Sequence, residues 1–261
     1  MKIKEIVDAL ERFAPLPLQD GFDNAGMQVG LTDADCAGAL LCLDVTEKVL
    51  DEAIKEGCNL VVSHHPLIFK GVKSITGSNY VECCVMKAIK HDITIFSAHT
   101  NLDNAVNGVN FKMAEKIGLK HVEVLEPRAD GWLSAGAGVV GELAVSETEE
   151  AFLQRIKQTF QVGCVKHTAF TGRQIRKVAL CGGAGAFLMP EAIKKGADAF
   201  ITGEIKYHDY FGRAEEILLT EIGHYESEQY TKEIFYQLIN EQFPDVRLVM
   251  TSVNTNPINY L

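Results

Sequence analysis

The stretch Ser63-His64-His65-Pro66-Leu67-Ile68-Phe69 follows the apolar run Asn59-Leu60-Val61-Val62. Such a run predicts a strand buried on both faces of a sheet, with the two histidines just past its C-terminal end. In an α/β sheet, binding sites form at that edge. Neutral imidazole is the commonest metal ligand among side chains, so the pair predicts either metal ligands or two ordinary loop histidines. The rest of the chain favours the first interpretation.

The elements around this stretch alternate in a way that is typical of an α/β fold. Apolar residues recur at helical spacing over residues 3–13, 47–56, 81–91 and 108–117, and short apolar runs at 39–43, 59–63 and 94–98 lie between them. Alternating strands and helices predict βαβ units and a mixed, mostly parallel sheet flanked by helices.

The second half repeats this alternation, which predicts two similar α/β lobes with a site in the cleft between them. We place the N-terminal lobe at residues 1–126 and the C-terminal lobe at 142–261. Residues 127–141 contain four glycines after Arg128 and are predicted to be a linker. A long helix is expected at 226–243, and a last strand at 247–253.

Two segments of the chain align without gaps and indicate an internal repeat. Residues 54–63 and 193–202 each contain the end of a helix, a glycine and a buried strand that ends in a hydroxyl residue. Downstream, His99-x-x-x-Asp103 and His224-x-x-x-Glu228 follow the next strand of each half. The order of the two matches favours duplication of one α/β unit over chance.

The composition narrows the function classes. The 261 residues are 47% hydrophobic and carry a net charge of −10, which allows a sizeable core and argues against a nucleic-acid or membrane surface. No apolar run is long enough to span a bilayer, and no signal-peptide pattern is present. The seven cysteines show no C-x-x-C spacing and are typical of buried thiols in a reducing compartment, so we expect a cytoplasmic protein.

The predicted strand ends bring together a set of imidazoles and carboxylates that suits metal ions. We predict as ligands His64, His65, Asp103, His224 and Glu228. This number of nitrogen and oxygen donors suits two borderline cations such as zinc, manganese or iron. Two ions about 3.5 to 4 Å apart can activate a water and stabilise developing negative charge. Taken singly, Asp103 as a loop cap and Glu228 as a first-turn helix residue are the more ordinary interpretations.

Other polar residues receive less specific predictions. His99 is expected to orient Asp103 or a water, and both His99 and His208 are candidate proton carriers. Asp44 follows a strand and is either a helix cap or part of the cleft. The glycines of 182–185 predict either a phosphate cradle or a plain turn. His91, His121 and His167 are predicted to be structural.

With these residues identified, the chain resembles the family of GTP cyclohydrolase 1 type 2 homologues, also called Nif-three-like dinuclear-metal proteins. The matching segments span most of the chain: Phe22-Asp23-Asn24-x-Gly26-x-Gln28-Val29-Gly30, Leu43-Asp44-Val45-Thr46, Ser63-His64-His65-Pro66-Leu67, Ala98-His99-Thr100-Asn101-Leu102-Asp103, Thr202-Gly203-Glu204 and Gly223-His224-Tyr225-Glu226-Ser227-Glu228. One departure is Phe22, where Trp is common in the family. Larger members carry an extra domain between the halves, for which this chain is too short.

The resemblance implies two α/β lobes, a two-metal site from the five predicted ligands, and a ring-shaped homohexamer. It also implies hydrolytic opening of the guanine ring of GTP, with release of formate and formation of dihydroneopterin triphosphate. We therefore expect a dinuclear metal-dependent hydrolase acting on a small nucleotide-like substrate. The alternatives are the same ions acting on a phosphoester or an amide, a non-enzymatic metal-binding scaffold or regulatory protein, and nucleic-acid binding, which the acidic charge disfavours.

Overall fold

A computed structural model of the chain describes residues 1–129, 131 and 134–261, which form two compact units. Unit 1 comprises Met1–Leu102 and Thr231–Pro257, and unit 2 comprises Asp103–Tyr230 and Ile258–Leu261. Each unit contains one mixed β-sheet with flanking helices, which confirms the predicted α/β class. Within the described residues, no helix is both long enough and apolar enough to cross a membrane.

Unit 1 is built on a five-stranded sheet in the order β1-β4-β3-β2-β11. Its strands are β1 (Gly26–Val29), β2 (Ala39–Cys42), β3 (Leu60–Ser63), β4 (Thr94–Ser97) and β11 (Leu248–Met250). Its helices of more than five residues are α1 (Ile3–Phe13), α2 (Glu47–Lys55), α3 (Tyr80–Lys90) and α9 (Thr231–Gln242). Strands β2, β3, β4 and β11 run parallel, and β1 is antiparallel to β4. All residues of β2, β3 and β4 are buried, as expected for parallel strands covered on both faces.

Unit 2 is built on a six-stranded sheet in the order β5-β6-β8-β9-β10-β7. Its strands are β5 (Lys120–Pro127), β6 (Gly136–Thr148), β7 (Lys166–His167), β8 (Gln174–Cys181), β9 (Ala199–Thr202) and β10 (Leu218–Glu221). Its helices are α5 (Val109–Ile117), α6 (Glu149–Thr159), α7 (Met189–Lys194) and α8 (His224–Glu228), and the short α4 (Thr100–Asn104) lies across the boundary between the units. Only β8, β9 and β10 run parallel to one another.

Side-chain caps explain where several helices begin. Thr46 accepts a hydrogen bond from the amide of Val49 at the start of α2, and Thr148 caps α6 in the same way. Asn79 caps α3 through the amide of Glu82, whose buried carboxylate accepts five further hydrogen bonds from residues 76–79. These caps fix the loops that lead from strands into helices.

The unit boundaries differ from the predicted lobes of 1–126 and 142–261. The segment predicted as a linker, 127–141, largely belongs to the antiparallel pair β5–β6 of unit 2, although residues 130, 132 and 133 lie outside the described residues. The glycines there serve close packing: a Cβ on Gly136 would lie 2.2 Å from the Glu126 carbonyl oxygen, and one on Gly138 2.7 Å from Leu188. Their number therefore reflects crowding within a sheet.

The C-terminal part of the chain also departs from the prediction. The helix expected at 226–243 is two helices, α8 in unit 2 and α9 in unit 1. Strand β11 then pairs with β2 in parallel, with Leu248 opposite Ala39, and so extends the sheet of unit 1. The predicted bounds 142–261 differ from unit 2 because this pairing joins residues about two hundred positions apart, which no local pattern reveals.

Candidate metal centre

The histidine pair lies at the carboxyl end of β3, between β2 and β4, as predicted. Hydrogen bonding continues past the end of the strand: the amide of His64 donates to Cys42 (3.3 Å) and that of His65 to Leu43 (2.9 Å). The hydroxyls of Ser63 and Ser97 are 2.7 Å apart beneath them. The backbone that carries both imidazoles is therefore fixed to the neighbouring strand.

His64, His65 and His99 form one group in unit 1 that could hold a metal ion. One ring nitrogen from each lies within 4.8 Å of the others, and the three ring centroids are 5.0 to 5.4 Å apart. His64 is fully buried, and the other two are partly buried. His99, which follows β4, thus belongs to the same cluster as the pair after β3.

The Nδ1 atom of each of these histidines is held by an oxygen. His64 Nδ1 is 2.9 Å from the Ala98 carbonyl, His65 Nδ1 is 2.7 Å from Asp44 Oδ1, and His99 Nδ1 is 2.8 Å from Asp23 Oδ1. A carbonyl or ionised carboxylate only accepts, so Nδ1 must donate in all three pairs. Each neutral ring consequently keeps the lone pair of Nε2, the arrangement found in metal-ligating histidines.

Asp23 is the acceptor for His99, whereas the sequence predicted that His99 orients Asp103 or a water. Both oxygens of Asp23 are engaged, since Oδ2 accepts from the Thr100 amide (3.0 Å) and hydroxyl (2.5 Å). Burial raises the pKa of Asp23, but the hydrogen bonds from His99 and Thr100 outweigh it and lower the pKa to about 2. The carboxylate is thus charged near neutral pH.

Asp44 accepts a hydrogen bond from His65 in the same way. Of the two predictions for Asp44, a helix cap or a residue of the site, the structure supports the second. Its Oδ2 accepts from the Thr255 hydroxyl, while Thr46 is the residue that caps α2. Burial raises the pKa of Asp44, but the hydrogen bonds from His65 and Thr255 lower it below its usual value. An ionised acceptor behind His65 increases the basicity of that imidazole toward a cation.

Unit 2 presents a second group at the end of β10. His224 is the first residue of α8; its Nδ1 is 2.8 Å from Glu204 Oε1, and its Nε2 is 3.2 Å from Glu228 Oε2. Because Glu204 only accepts, Nδ1 carries a proton, and Nε2 faces the buried carboxylate of Glu228. A nitrogen lone pair and a carboxylate this close require a proton or a metal cation between them.

The glycine-rich turn 182–185 makes room for Glu228 and is not a phosphate cradle. Gly183 has a φ of +58°, and a Cβ on it would lie 2.4 Å from Glu228 Oε1. Side chains already occupy the amides that a phosphate would need: Asn110 accepts from Gly182, and Ser227 from Gly183. Of the two predictions for this segment, the plain turn agrees better with the structure. The turn also leaves room for the Glu228 carboxylate beside Gly183.

The positions of the other two predicted site residues, Asp103 and His208, say less about their function. Asp103 lies in α4, where its backbone carbonyl accepts from Asn110 (3.0 Å). His208 lies exposed in a short 3-10 helix, and its ring contacts the rings of Tyr207 and Phe211. Its function as a proton carrier, and the joint binding of metal by all five predicted ligands, stay predictions.

The two halves also correspond in a slightly different register from the one predicted. Ala98 and Ile222 donate to equivalent carbonyls, those of Ser63 and Thr202, so His99 corresponds to Gly223. The helices α4 and α8 are likewise equivalent in length and position after their strands. The duplicated framework is therefore present, but the two His-x-x-x-acid motifs are offset by one residue within it.

With this geometry established, comparison with known proteins gives the family. A family model described as Duf34/NIF3 (NGG1p interacting factor 3) matches residues 1–257. The chain belongs to this family. A Clostridium perfringens relative is 32% identical over 265 aligned residues, covering 100% of both chains, and one from Clostridium acetobutylicum is 32% identical over 231 residues, covering 87% of this chain and 85% of the relative. Both are called GTP cyclohydrolase 1 type 2 homolog.

Two solved structures share the fold of this chain. A hypothetical protein from Staphylococcus aureus has a TM-score of 0.92 at 29% identity, covering 100% of this chain and 99% of its own. Reduced HcgD from Methanocaldococcus jannaschii has a TM-score of 0.80 at 28% identity, covering 97% and 98%. The resemblance that the sequence motifs indicated is thereby confirmed for the family and the fold.

Proposed function

We propose that this protein is a metal-dependent hydrolase that binds two divalent cations and acts on a small nucleotide-like substrate. The observation that carries the proposal is the common state of the three proposed ligand histidines: His64, His65 and His224 each direct Nδ1 to an oxygen acceptor. Metal-ligating histidines are held in this way by a carboxylate or carbonyl behind the ring. The donor chemistry fits a borderline cation such as zinc, manganese or iron.

The proposed ligands are those predicted from the sequence, His64, His65, Asp103, His224 and Glu228. When bound, the cations would supply an activated water and stabilise developing negative charge. Asp44 and Glu204 hold His65 and His224 in the ligating tautomer.

Proton transfer is assigned to histidines of this chain. His99 is held by Asp23 and has an Nε2 able to accept a proton, so it is the first candidate. His208 is the second candidate, because its imidazole is exposed and can exchange protons with the solvent.

The most specific form of the proposal is GTP cyclohydrolase activity. The names of the clostridial relatives support it. In that reaction water opens the imidazole ring of guanine at C8, C8 leaves as formate, and dihydroneopterin triphosphate forms. A phosphoester or an amide would be hydrolysed by the same groups.

Turnover measured on a substrate panel tests the proposal. We expect formate release from GTP, or hydrolysis of one phosphoester or amide, by the metal-loaded wild type. His65→Ala should lower the rate at least about 100-fold, as expected for loss of a metal ligand. His167→Ala is the matched control because His167 is exposed and donates to the carbonyl of its own neighbour Thr168. Absence of turnover on the whole panel, or equal rates in the two variants, would refute the hydrolase.

A non-enzymatic metal-binding scaffold or regulatory protein is the second candidate, and the family description as an interacting factor favours it. In this case the protein would function through its proposed homohexameric ring and would not convert a substrate. It predicts that chelation changes the oligomer mass in solution while no substrate turns over. The proposed compartment is the cytoplasm for either function; all seven cysteines lie in the described residues and none forms a disulfide, which supports a reducing environment.

A further inference from the structure

The segment that follows β11, residues 251–257, begins at the sheet edge that carries Asp44. Strand β11 pairs with β2 in parallel, with Met250 opposite Leu41, and the Thr251 amide continues this ladder by donating to the Leu41 carbonyl (2.9 Å). Parallel strands end at the same edge of a sheet, and Asp44 follows β2 directly after Leu43. The pairing therefore brings the segment to the edge at which the histidine pair lies.

Side chains anchor this segment, which forms no helix or strand over residues 251–257. Glu52 of α2 accepts from the hydroxyl of Thr251, and from the amide (2.9 Å) and hydroxyl (2.5 Å) of Ser252. Val253 packs against the apolar core of unit 1. The backbone is therefore fixed before it reaches Thr255.

Thr255 engages the second oxygen of the Asp44 carboxylate. Asp44 Oδ1 lies 2.7 Å from His65 Nδ1, and the Thr255 hydroxyl lies 2.5 Å from Asp44 Oδ2. An ionised carboxylate only accepts, so the hydroxyl donates. The terminal torsion of an aspartate is otherwise broad, and hydrogen bonds to both of its oxygens restrict it. Thr255 thus fixes the orientation in which Asp44 faces His65.

The same arrangement is found behind His99. Asp23 Oδ1 accepts from His99 Nδ1, and Asp23 Oδ2 accepts from the Thr100 hydroxyl (2.5 Å). Thr100 follows His99 directly in the chain, whereas Thr255 reaches Asp44 from 211 positions away. A chain of histidine, aspartate and threonine therefore occurs twice in unit 1, in two different sequence contexts. This recurrence indicates that the hydroxyl contributes to the state of the histidine.

The acceptor in unit 2 shows why a threonine is needed in unit 1. Glu204 accepts from His224 Nδ1, and among the described residues no hydroxyl donates to the Glu204 carboxylate. Its side chain is 59% exposed, compared with 32% for Asp44. Water can satisfy the second oxygen of an exposed carboxylate, whereas a sheltered one depends more on a donor from the protein.

We propose that Thr255 is a positioning residue of the candidate metal centre. Its hydroxyl fixes Asp44 as the acceptor of the His65 Nδ1 proton, and so keeps Nε2 of His65 available to a cation. Thr255 acts through Asp44 and is not itself a ligand. The effect on metal affinity rests on the proposed function, because it requires His65 to bind a metal. The effect on the tautomer of His65 needs only the contacts of unit 1.

Competition with a chromogenic chelator tests the effect on metal affinity. Thr255→Val keeps the shape of the side chain and removes the hydroxyl, so we expect metal affinity to fall about tenfold, the lower end for loss of a partner behind a ligating histidine. Thr255→Ser retains the hydroxyl and should bind metal as tightly as the wild type. Thr32→Val, the same change at a partly exposed position of unit 1, is the matched control and should also match the wild type.

A double-mutant cycle separates positioning from a general loosening of the fold. In the Asp44→Ala background the hydroxyl has no carboxylate to fix, so Thr255→Val should lower the affinity no further. Loosening of the fold would lower the affinity by the same factor in both backgrounds. Wild-type affinity in Thr255→Val, equal losses in Thr255→Val and Thr255→Ser, or the same loss in both backgrounds would overturn the proposal.

Nitrogen-15 NMR of the imidazoles in the metal-free chain tests the tautomer directly, at about pH 8, where an ordinary imidazole is neutral. The spectrum of His65→Ala assigns the signals. We expect the Nδ1–H form of His65 in the wild type, in Thr255→Ser and in Thr32→Val, and a mixture with the Nε2–H form in Thr255→Val. A pure Nδ1–H form in Thr255→Val would overturn the proposal. A changed tautomer in a protein that binds no metal would refute only the proposed function, so the two failures are distinguishable.

Discussion

Two sheet edges of this protein share one framework and carry different side chains. In unit 1, β2 and β3 end in register at Cys42 and Ser63; in unit 2, β8 and β9 end in register at Cys181 and Thr202. A third parallel strand follows in each sheet, and a five-residue helix comes after it. The topology thus provides the same edge twice.

The residues beyond these ends divide the chemistry differently. In unit 1, His65 is held by Asp44, which follows the neighbouring strand. In unit 2, the position equivalent to His65 is Glu204, which is itself the acceptor for His224, and the position equivalent to Asp44 is Gly183. One edge is therefore rich in nitrogen donors and the other in carboxylates. Two copies of one framework can therefore carry different donors at equivalent positions.

The largest effect on stability is expected from Gly183→Ala. The added Cβ would meet Glu228 Oε1 at 2.4 Å and the backbone has a φ of +58°, so both overpacking and strain apply. We expect about 3 kcal/mol of destabilisation in chemical denaturation. Gly196→Ala is the control, because its φ of +69° brings strain alone and no atom lies within 4 Å, and it should cost about 1 kcal/mol. Equal costs would contradict the steric function of Gly183.

The second-largest effect is expected from removing Asp44, the acceptor of the His65 hydrogen bond. Asp44→Ala takes away the oxygen that fixes the Nδ1–H tautomer, and we expect metal affinity to fall about 10- to 100-fold. Competition with a chromogenic chelator measures this change. Asp33→Ala, at an exposed position of unit 1, should bind metal as the wild type does. An unchanged affinity in the Asp44 variant would show that the tautomer does not matter at this edge.

Lowering the pH should weaken the contribution of Asp23, the acceptor of His99, to the stability of the fold. The folded-state pKa of Asp23 is about 2, below the value of 3.8 for an ordinary aspartate, so its charged form stabilises the fold above about pH 4. That contribution is lost as the pH falls from about 4 toward 2. After allowance for solvent screening, we expect about 1 kcal/mol.

Denaturation of the metal-free protein at pH 5 and pH 2.5 checks this expectation. Asp23→Asn cannot lose a proton and should show a smaller difference between the two pH values than the wild type. Identical pH dependence of the two proteins would mean that Asp23 is not held by His99 and Thr100 in solution.

The smallest effect is expected from Glu204→Gln. Glu204 is 59% exposed, and glutamine retains an oxygen that can accept from His224 Nδ1. Metal affinity should fall less than about tenfold, below the effect of Asp44→Ala. The reverse ranking would show that the carboxylate-rich edge depends more strongly on its acceptor than the histidine-rich edge does.

The sequence predicted the histidine pair, the central strands and the family because these features are local. A buried strand followed by His64 and His65 is readable from about ten consecutive residues. The acceptors were harder to find, since Asp23 lies 76 positions from His99 and no spacing rule connects them. Asp44 follows a predicted strand, and both Asp23 and Asp44 lie in segments that carry the family resemblance; these were the signals that could have marked them.

Non-local pairing and steric constraints explain the other differences. The predicted lobe boundaries differ from the observed units for two reasons. Strand β11 pairs with β2 in the sheet of unit 1, and the closely spaced glycines of β6 lie in a strand. Glycine predicts a turn by its conformational freedom, but at Gly136 it is required by the closeness of another strand. Only the packed structure distinguishes the two causes.

Metal content per chain most directly tests the central claim, which is the proposal that the five predicted ligands bind the metal. Protein purified without added metal or a histidine tag is analysed by mass spectrometry as wild type, His65→Ala, Glu228→Ala and His167→Ala. We predict about two equivalents of one metal in the wild type and in His167→Ala, and a sharp loss in both His65→Ala and Glu228→Ala. Full metal content in Glu228→Ala, or substoichiometric mixed metals in every protein, would contradict the claim.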